Sequence, residues 1–306
     1  MNPVTVKNIS RKFGKLEALK EISFEANQGE IFGIIGPDGA GKTTLFRILT
    51  TLLLADTGEA AVDGFDIVRD YKQIRKRIGY MPGRFSLYQD LTVEENLSVF
   101  ATVFETTVEK NYDLIKDIYQ QIEPFKNRRA GALSGGMKQK LALCCALIHK
   151  PSVLFLDEPT TGVDPISRKD LWDMLIRLKK ENITILVSTP YMDEAGLCDR
   201  IALIQEGRFL KIDTPAELTR KFDKILWAVQ SNAMSKLLAD LRNHEKVQTC
   251  FAFGETHHIT MDDSSLTIIE LQKYLSRLGH TDIEIRPIVA SVEDCFMNLT
   301  AKESEK

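Results

Sequence analysis

Short runs of Ile, Val, Leu and Phe recur along the first two thirds of the chain. Gly29–Ile35, Val153–Leu156, Ile183–Val187 and Ile201–Ile204 are apolar at nearly every position. Such runs do not alternate, so they predict strands buried on both faces. Between the second and third, Leu171, Met174, Leu175 and Leu178 repeat at i, i+3, i+4, i+7, the spacing of one helix face. Strands alternating with helices predict an α/β fold built on a parallel sheet covered on both sides. In such sheets, ligands bind beyond the carboxyl ends of the strands.

The pattern changes after Asp213-Thr214-Pro215. Ile225–Val229 reads as a strand, Met234, Leu237, Leu238 and Leu241 as a helix face, and Val247–Phe253 with His257–Met261 as a hairpin turning near Gly254. Leu271, Tyr274, Leu275 and Leu278 mark a second helix and Ile283–Ile288 a last strand. The order βαββαβ is that of a small α+β ferredoxin-like domain. Ser291, with Asp294 three residues on, reads as the cap of a final helix through Leu299. A boundary near residue 215 is expected, with one domain over 1–215 and another over 216–306. No internal repeat or low-complexity tract interrupts either.

Composition narrows the function classes. A chain of 306 residues with 43% hydrophobic and 27% charged residues is ordinary for a folded protein and excludes a largely disordered one. The 40 basic residues against 43 acidic ones leave a net charge of −3, so no nucleic-acid partner is expected. No apolar run reaches the ~18–20 residues of a membrane span, and the first residues lack a basic-then-apolar leader pattern. Five cysteines, with Cys144 and Cys145 adjacent and no pair at metal-ligand spacing, predict reduced thiols in a cytoplasmic protein.

The strongest chemical signal is Gly36-Pro37-Asp38-Gly39-Ala40-Gly41-Lys42-Thr43, with Thr44 beside it. It follows an apolar strand and precedes an amphipathic helix, the context of a phosphate-binding loop. Its glycines let the backbone wrap a phosphate, and the helix start adds the positive end of its dipole. Lys42 suits the β- and γ-phosphates and Thr43 a Mg²⁺ ion. Val153-Leu154-Phe155-Leu156-Asp157-Glu158 is an apolar strand ending in two carboxylates. By itself that is common. Beside a phosphate cradle it suits Asp157 to the Mg²⁺ shell and Glu158 to polarising an attacking water.

Leu133-Ser134-Gly135-Gly136-Met137 lies some twenty residues before that strand. Ser-Gly-Gly is also ordinary turn chemistry, but a turn does not explain the order cradle, signature, Asp-Glu strand. In that order the chain resembles the ATPase subunits of ATP-binding cassette (ABC) transporters over residues 4 to about 215. The resemblance implies a P-loop NTPase core, ATP and Mg²⁺ as ligands, and a head-to-tail dimer with a second, identical or different, cassette. Each ATP would lie between the cradle of one subunit and residues 133–137 of the other. Asp164 matches the loop that crosses to the partner. Phe13 matches the aromatic that stacks on adenine, although a lone Phe before a Gly is more often core. Asp164-Pro165-Ile166-Ser167-Arg168, Tyr191-Met192-Asp193-Glu194-Ala195 and Ser291-Val292-Glu293-Asp294 are most similar to subunits of drug- or polysaccharide-type exporters. Integral-membrane permease subunits are then the expected partners, and the inner face of the cell membrane the expected place.

The chain departs from the family pattern at three positions. Gly83 stands where the family has Gln after Tyr80-Met81-Pro82, with Arg84 next. Pro190 follows Ser188-Thr189 where the family has a His that donates to the γ-phosphate, and proline has no donor at all. Asp38 stands where Asn is commoner, and is expected to point outward. The phosphate grip is complete without these, so strong ATP binding with slow hydrolysis at the chain's own site is expected. Three classes fit this pattern: an exporter ATPase, a regulatory half of a heterodimer, and a cassette acting in translation or DNA repair. The last usually carries a second cassette or a coiled-coil insertion, and neither is visible. The C-terminal domain shows no convergent acid, base or metal set. His257-His258, adjacent on a strand, reads as a buried position beside an exposed one.

Overall fold

The computed structural model describes residues 2–261 and 266–304. The chain divides into two compact units, Met1–Asp213 and Thr214–Lys306.

The first unit is built on a six-stranded sheet in the order Arg208–Asp213, Arg200–Gln205, Ile31–Ile35, Thr184–Thr189, Val153–Asp157, Ile78–Met81. All neighbours are parallel except the edge hairpin Arg200–Gln205/Arg208–Asp213. Ile31–Ile35, Val153–Asp157 and Thr184–Thr189 are buried at every position, as expected of central parallel strands. The apolar runs therefore mark the sheet to within a few residues. Gly29 falls outside it, with φ +65 in the turn that precedes the strand.

A second sheet is antiparallel and leaves no clear mark in the hydrophobic pattern. Its order is Leu16–Ala26, Val4–Phe13, Thr57–Val62, Phe65–Asp66. These strands alternate buried and exposed positions, and the register of Val4–Phe13 on Leu16–Ala26 shifts repeatedly. The period-2 signal is broken at each shift. The core lies between the two sheets and around the helix Lys42–Leu49. Phe24 stacks on Phe32 at 5.0 Å and Phe46 meets Phe155 edge-on at 5.6 Å. Burying such rings contributes about 1.5–3 kcal/mol each and clamps the helix onto the strand that ends in Asp157.

The second unit is a four-stranded antiparallel sheet in the order Thr249–Phe253, Thr256–Met261, Ile225–Gln230, Glu284–Pro287, with helices Met234–Arg242 and Ile268–Arg277. This is the ferredoxin-like arrangement. Trp227, Val229, Leu237, Leu241, Ile259, Leu271 and Leu275 form its core. Ser291 caps the helix Val292–Ser304: its amide donates to Asp294 Oδ2 at 2.8 Å and the Asp294 amide donates to its Oγ at 3.2 Å. His257 is buried, with Nε2 2.7 Å from the Met234 carbonyl. His258 corrects the expectation of an exposed neighbour. Its side chain is only 16% exposed because its ring stacks on Phe253 at 4.0 Å while Nδ1 lies 2.7 Å from Asp294 Oδ1.

Among the described residues no helix is long and apolar enough to cross a membrane. All five cysteines are unpaired and buried.

Candidate functional site

The strand Ile31–Ile35 runs into Gly36 and the loop that ends at Gly41. Two positions there require glycine. A Cβ on Gly36 would lie 2.1 Å from the Ile204 carbonyl oxygen. Gly41 has φ +106, and its Cβ would lie 2.5 Å from the Ala18 oxygen. Backbone contacts brace the loop from behind: the Gly36 amide donates to Thr189 O at 3.2 Å and the Gly207 amide to Ala40 O at 3.0 Å. The helix Lys42–Leu49 starts at Gly41 with no side-chain cap and no acidic residue in its first turn. Its first amides are therefore left for a ligand, and the dipole favours an anion there.

Phe13, Leu16, Gly39, Gly41, Lys42, Thr43, Thr44, Glu158 and Gly207 are among the residues lining a cleft of about 670 Å³ before this loop. Lys42 is 3% exposed. Its ammonium donates to Gly36 O at 2.8 Å and Pro37 O at 2.9 Å and lies 3.1 Å from Glu158 Oε1. A buried cation needs such partners. Asp38 points outward, 87% exposed, with Oδ1 3.9 Å from the same ammonium. Phe13 is 46% exposed at the rim, with the Arg11 guanidinium 4.9 Å above its ring, so it is not a core residue.

The two carboxylates sit at the carboxyl end of Val153–Asp157. Asp157 is buried and accepts the Ser188 hydroxyl at 2.6 Å. Glu158 turns out of the strand with φ +51. Tyr80 on the neighbouring strand has its hydroxyl pushed up to about 12 by burial and by the Asp157 charge. Asp157 and Thr43 offer hard oxygen donors, the set Mg²⁺ prefers. No cluster of three His, Cys, Asp or Glu occurs among the described residues.

The signature residues belong to a different place. Ser134 caps the helix Gly135–Leu147, accepting the Met137 amide at 3.4 Å. Leu133, Ser134, Gly135, Gly136 and Met137 do not line the cradle's cleft. Gly135 and Gly136 adjoin the segment after Glu158 instead: a Cβ on Gly135 would lie 3.6 Å from Gly162 O, and one on Gly136 3.1 Å from Ser167 Oγ and 3.9 Å from Asp164 Oδ2. Asp164 caps the helix Pro165–Lys180, and the Ser167 amide it accepts holds its carboxyl below the usual range. The site residues thus form two groups, cradle with acidic pair and signature with Asp164.

Gly83 lies against the acidic pair, where a Cβ would meet Asp157 O at 3.0 Å and Glu158 Cβ at 3.8 Å. Pro190 follows Thr189, whose carbonyl holds the Gly36 amide. No histidine lines the cleft. Two features escaped the sequence reading. Ser188 touches both acidic residues. Glu194, 2% exposed, joins Thr160 Oγ1 at 3.1 Å to Arg168 at 2.9 Å and so ties the segment after Pro190 to the loop leading to Asp164. Spacing gives no hint of either, since the partners are about 30 residues apart.

Residues 19–161 match the family model described as ABC transporter. The chain is 43% identical over 221 residues to the protein named "Probable multidrug ABC transporter ATP-binding protein YbhF" of Escherichia coli (strain K12), covering 71% of this chain but only 38% of that protein. It is 33% identical to the Nod factor export ATP-binding protein I of Burkholderia lata, over 99% of this chain and 98% of that one. Among solved structures, the dimeric ATP-binding cassette MJ0796 bound to ADP and Pi superposes with a TM-score of 0.62 at 26% identity, covering 69% of this chain and 98% of that chain.

Proposed function

The chain belongs to the ATP-binding subunits of ABC transporters, and on that premise we propose that it is the ATPase of an exporter. It binds ATP at Gly36–Thr44 and hydrolyses it to drive integral-membrane permease subunits, seated on the inner face of the cell membrane. The observation that carries this reading is the convergence of the glycine loop, the uncapped helix start, Lys42 and Glu158 on one cleft.

Lys42 and the loop amides grip the phosphates, and Phe13, exposed at the rim, stacks on the adenine. Thr43 and Asp157 would hold Mg²⁺, which would offset the charge of the phosphates. Glu158 orients and polarises the attacking water. Ser134 and Gly136 lie outside the cleft, so they serve the ATP held by a second cassette, identical or different, and Asp164 faces the same partner. The relatives' names supply the exporter class: one is named "Probable multidrug ABC transporter ATP-binding protein" and another "Nod factor export ATP-binding protein I". The unit beyond residue 215 takes no part in the chemistry and serves dimer contact or regulation.

Pro190 and the lack of a histidine in the cleft favour one refinement. The chain's own site holds ATP tightly and turns it over slowly, as in the regulatory half of a heterodimer whose second cassette supplies the faster site. Single-turnover hydrolysis of bound ATP tests the reading. The wild-type chain is expected to bind ATP and hydrolyse it slowly, and Glu158→Gln to keep binding while losing about 10²–10³ in rate. A wild-type chain with no measurable affinity for ATP would overturn it. Turnover of many per second by the chain alone would remove the refinement.

A further inference from the structure

We propose that Ser188 is a positioning residue for ATP hydrolysis: its hydroxyl fastens Asp157 and Glu158 together so that the Glu158 carboxylate faces the cleft. This rests on the reading of Glu158 as the group that polarises water. Parallel pairing of Val153–Asp157 with Thr184–Thr189 sets Asp157 beside Ser188. The Ser188 hydroxyl donates to Asp157 Oδ1 at 2.6 Å and accepts the Glu158 amide at 3.1 Å, and its backbone oxygen accepts the same amide at 3.0 Å. A serine hydroxyl has a single proton to give. Here that proton goes to one acidic residue while a lone pair takes the amide of the next.

The consequence falls on Glu158. It adopts φ +51, a left-handed conformation uncommon for a residue with a side chain. The two bonds from its amide to Ser188 hold the chain in that turn, and the turn brings Oε1 to 3.1 Å from Lys42. The other contact to the carboxylate, from Thr161 Oγ1, is long at 3.5 Å. Ser188 itself is fully buried in a strand otherwise made of Thr, Ile, Leu and Val. Serine has no strand preference to recommend it there. Its hydroxyl is explained by the acidic pair.

The test is ATP hydrolysis and nucleotide affinity of the full chain as wild type, Ser188→Ala, Ser188→Thr, Glu158→Gln and the double variant Ser188→Ala/Glu158→Gln. Ser188→Ala is expected to lower kcat by about 10–100-fold, the usual cost of losing an orienting partner, with KM and ATP affinity within about two-fold of wild type because the phosphate grip is untouched. Ser188→Thr, which keeps the hydroxyl, is expected to recover most of the rate. The double variant should be no slower than Glu158→Gln, since Ser188 acts through Glu158. Wild-type kcat in Ser188→Ala overturns the proposal. So does an equal rate loss on adding Ser188→Ala to Glu158→Gln. Should Ser188→Ala fold poorly, a Ser188→Thr variant that is stable but as slow as Glu158→Gln also overturns it. Full activity in Glu158→Gln would instead overturn the role given to Glu158, independently of Ser188.

Discussion

Gly39 and Gly41, the uncapped start of Lys42–Leu49 and Glu158 line a cleft of about 670 Å³ in the first unit. In the second unit, Ser231, His280 and Asp240 close on one another. Ser231 Oγ lies 3.0 Å from His280 Nδ1, and His280 Nε2 lies 2.9 Å from Asp240 Oδ2. By residue type the second set looks the more catalytic, a serine, a histidine and a carboxylate in line. Yet Ser231 and His280 are 6% and 3% exposed, and Ser231 Oγ also accepts the Ala233 amide at 3.3 Å. The Ser231 hydroxyl and both ring nitrogens of His280 are thus taken up by partners inside the unit. Such a set pins the strand end at Gln230 to the helix Met234–Arg242 and the loop before Glu284–Pro287. Reactivity needs donors and carboxylates aimed at room left for a ligand. Glu158 and Lys42 line a cleft, whereas Ser231 and His280 are buried and hydrogen-bonded.

The largest test of this contrast is Lys42→Ala. It removes the buried cation and strands Glu158 without its partner. ATP affinity at this site is expected to fall about 10³-fold, some 4 kcal/mol, in a direct binding titration. Unchanged affinity would mean that the cleft is not the phosphate site.

A second test asks whether a buried polar group in the first unit behaves like those of the second. His149 stacks on Phe104 at 3.7 Å, with Nε2 3.0 Å from Ile78 O and Nδ1 buried without a partner. Burial pushes its pKa down to about 4. The unfolded chain, with an ordinary histidine, binds more protons between pH 6.5 and 4, so this contribution to stability is complete above pH 6.5. It is lost as the pH falls toward 4, by about 3 kcal/mol in all. Thermal melts across that range should show the loss in the wild type and a flatter profile in His149→Gln. Parallel profiles would show that His149 is not the titrating group.

His280→Ala probes the second unit directly. It leaves Ser231 and Asp240 short of a partner, so stability should drop by about 2 kcal/mol while ATP affinity and turnover stay unchanged. A loss of ATP binding in a folded His280→Ala chain would break the division of labour between the units.

The smallest effects are expected at the departures from the family pattern. Pro190→His should raise single-turnover hydrolysis about 10-fold if the imidazole reaches the γ-phosphate, and less if the backbone set by proline misplaces it. Gly83→Gln should gain less still, because even a Cβ there would stand 3.0 Å from the Asp157 carbonyl. A slower Pro190→His would mean that the missing donor does not limit the reaction.

The parallel sheet, the ferredoxin-like order and the phosphate loop were legible along the chain because each leaves a local mark. Doubly buried strands are continuously apolar, helix faces repeat at 3.6 residues, and a loop that wraps an anion must hold glycine where Gly36 and Gly41 admit no Cβ. The antiparallel sheet was not legible, because its register shifts break the alternation that would announce it. Tertiary structure alone decided which polar residues meet. Asp157 and Ser188 are 31 positions apart and become neighbours only through strand pairing. Residues 133–137 carry a clear motif, but only the fold sets Gly136 beside Asp164 and all five outside the cleft. His258 reads as a surface residue until Phe253 and Asp294 cover it. A sequence determines the conformation each segment favours by itself. Hydrogen bonds and ion pairs between distant segments depend on distances that exist once the core between the sheets has closed.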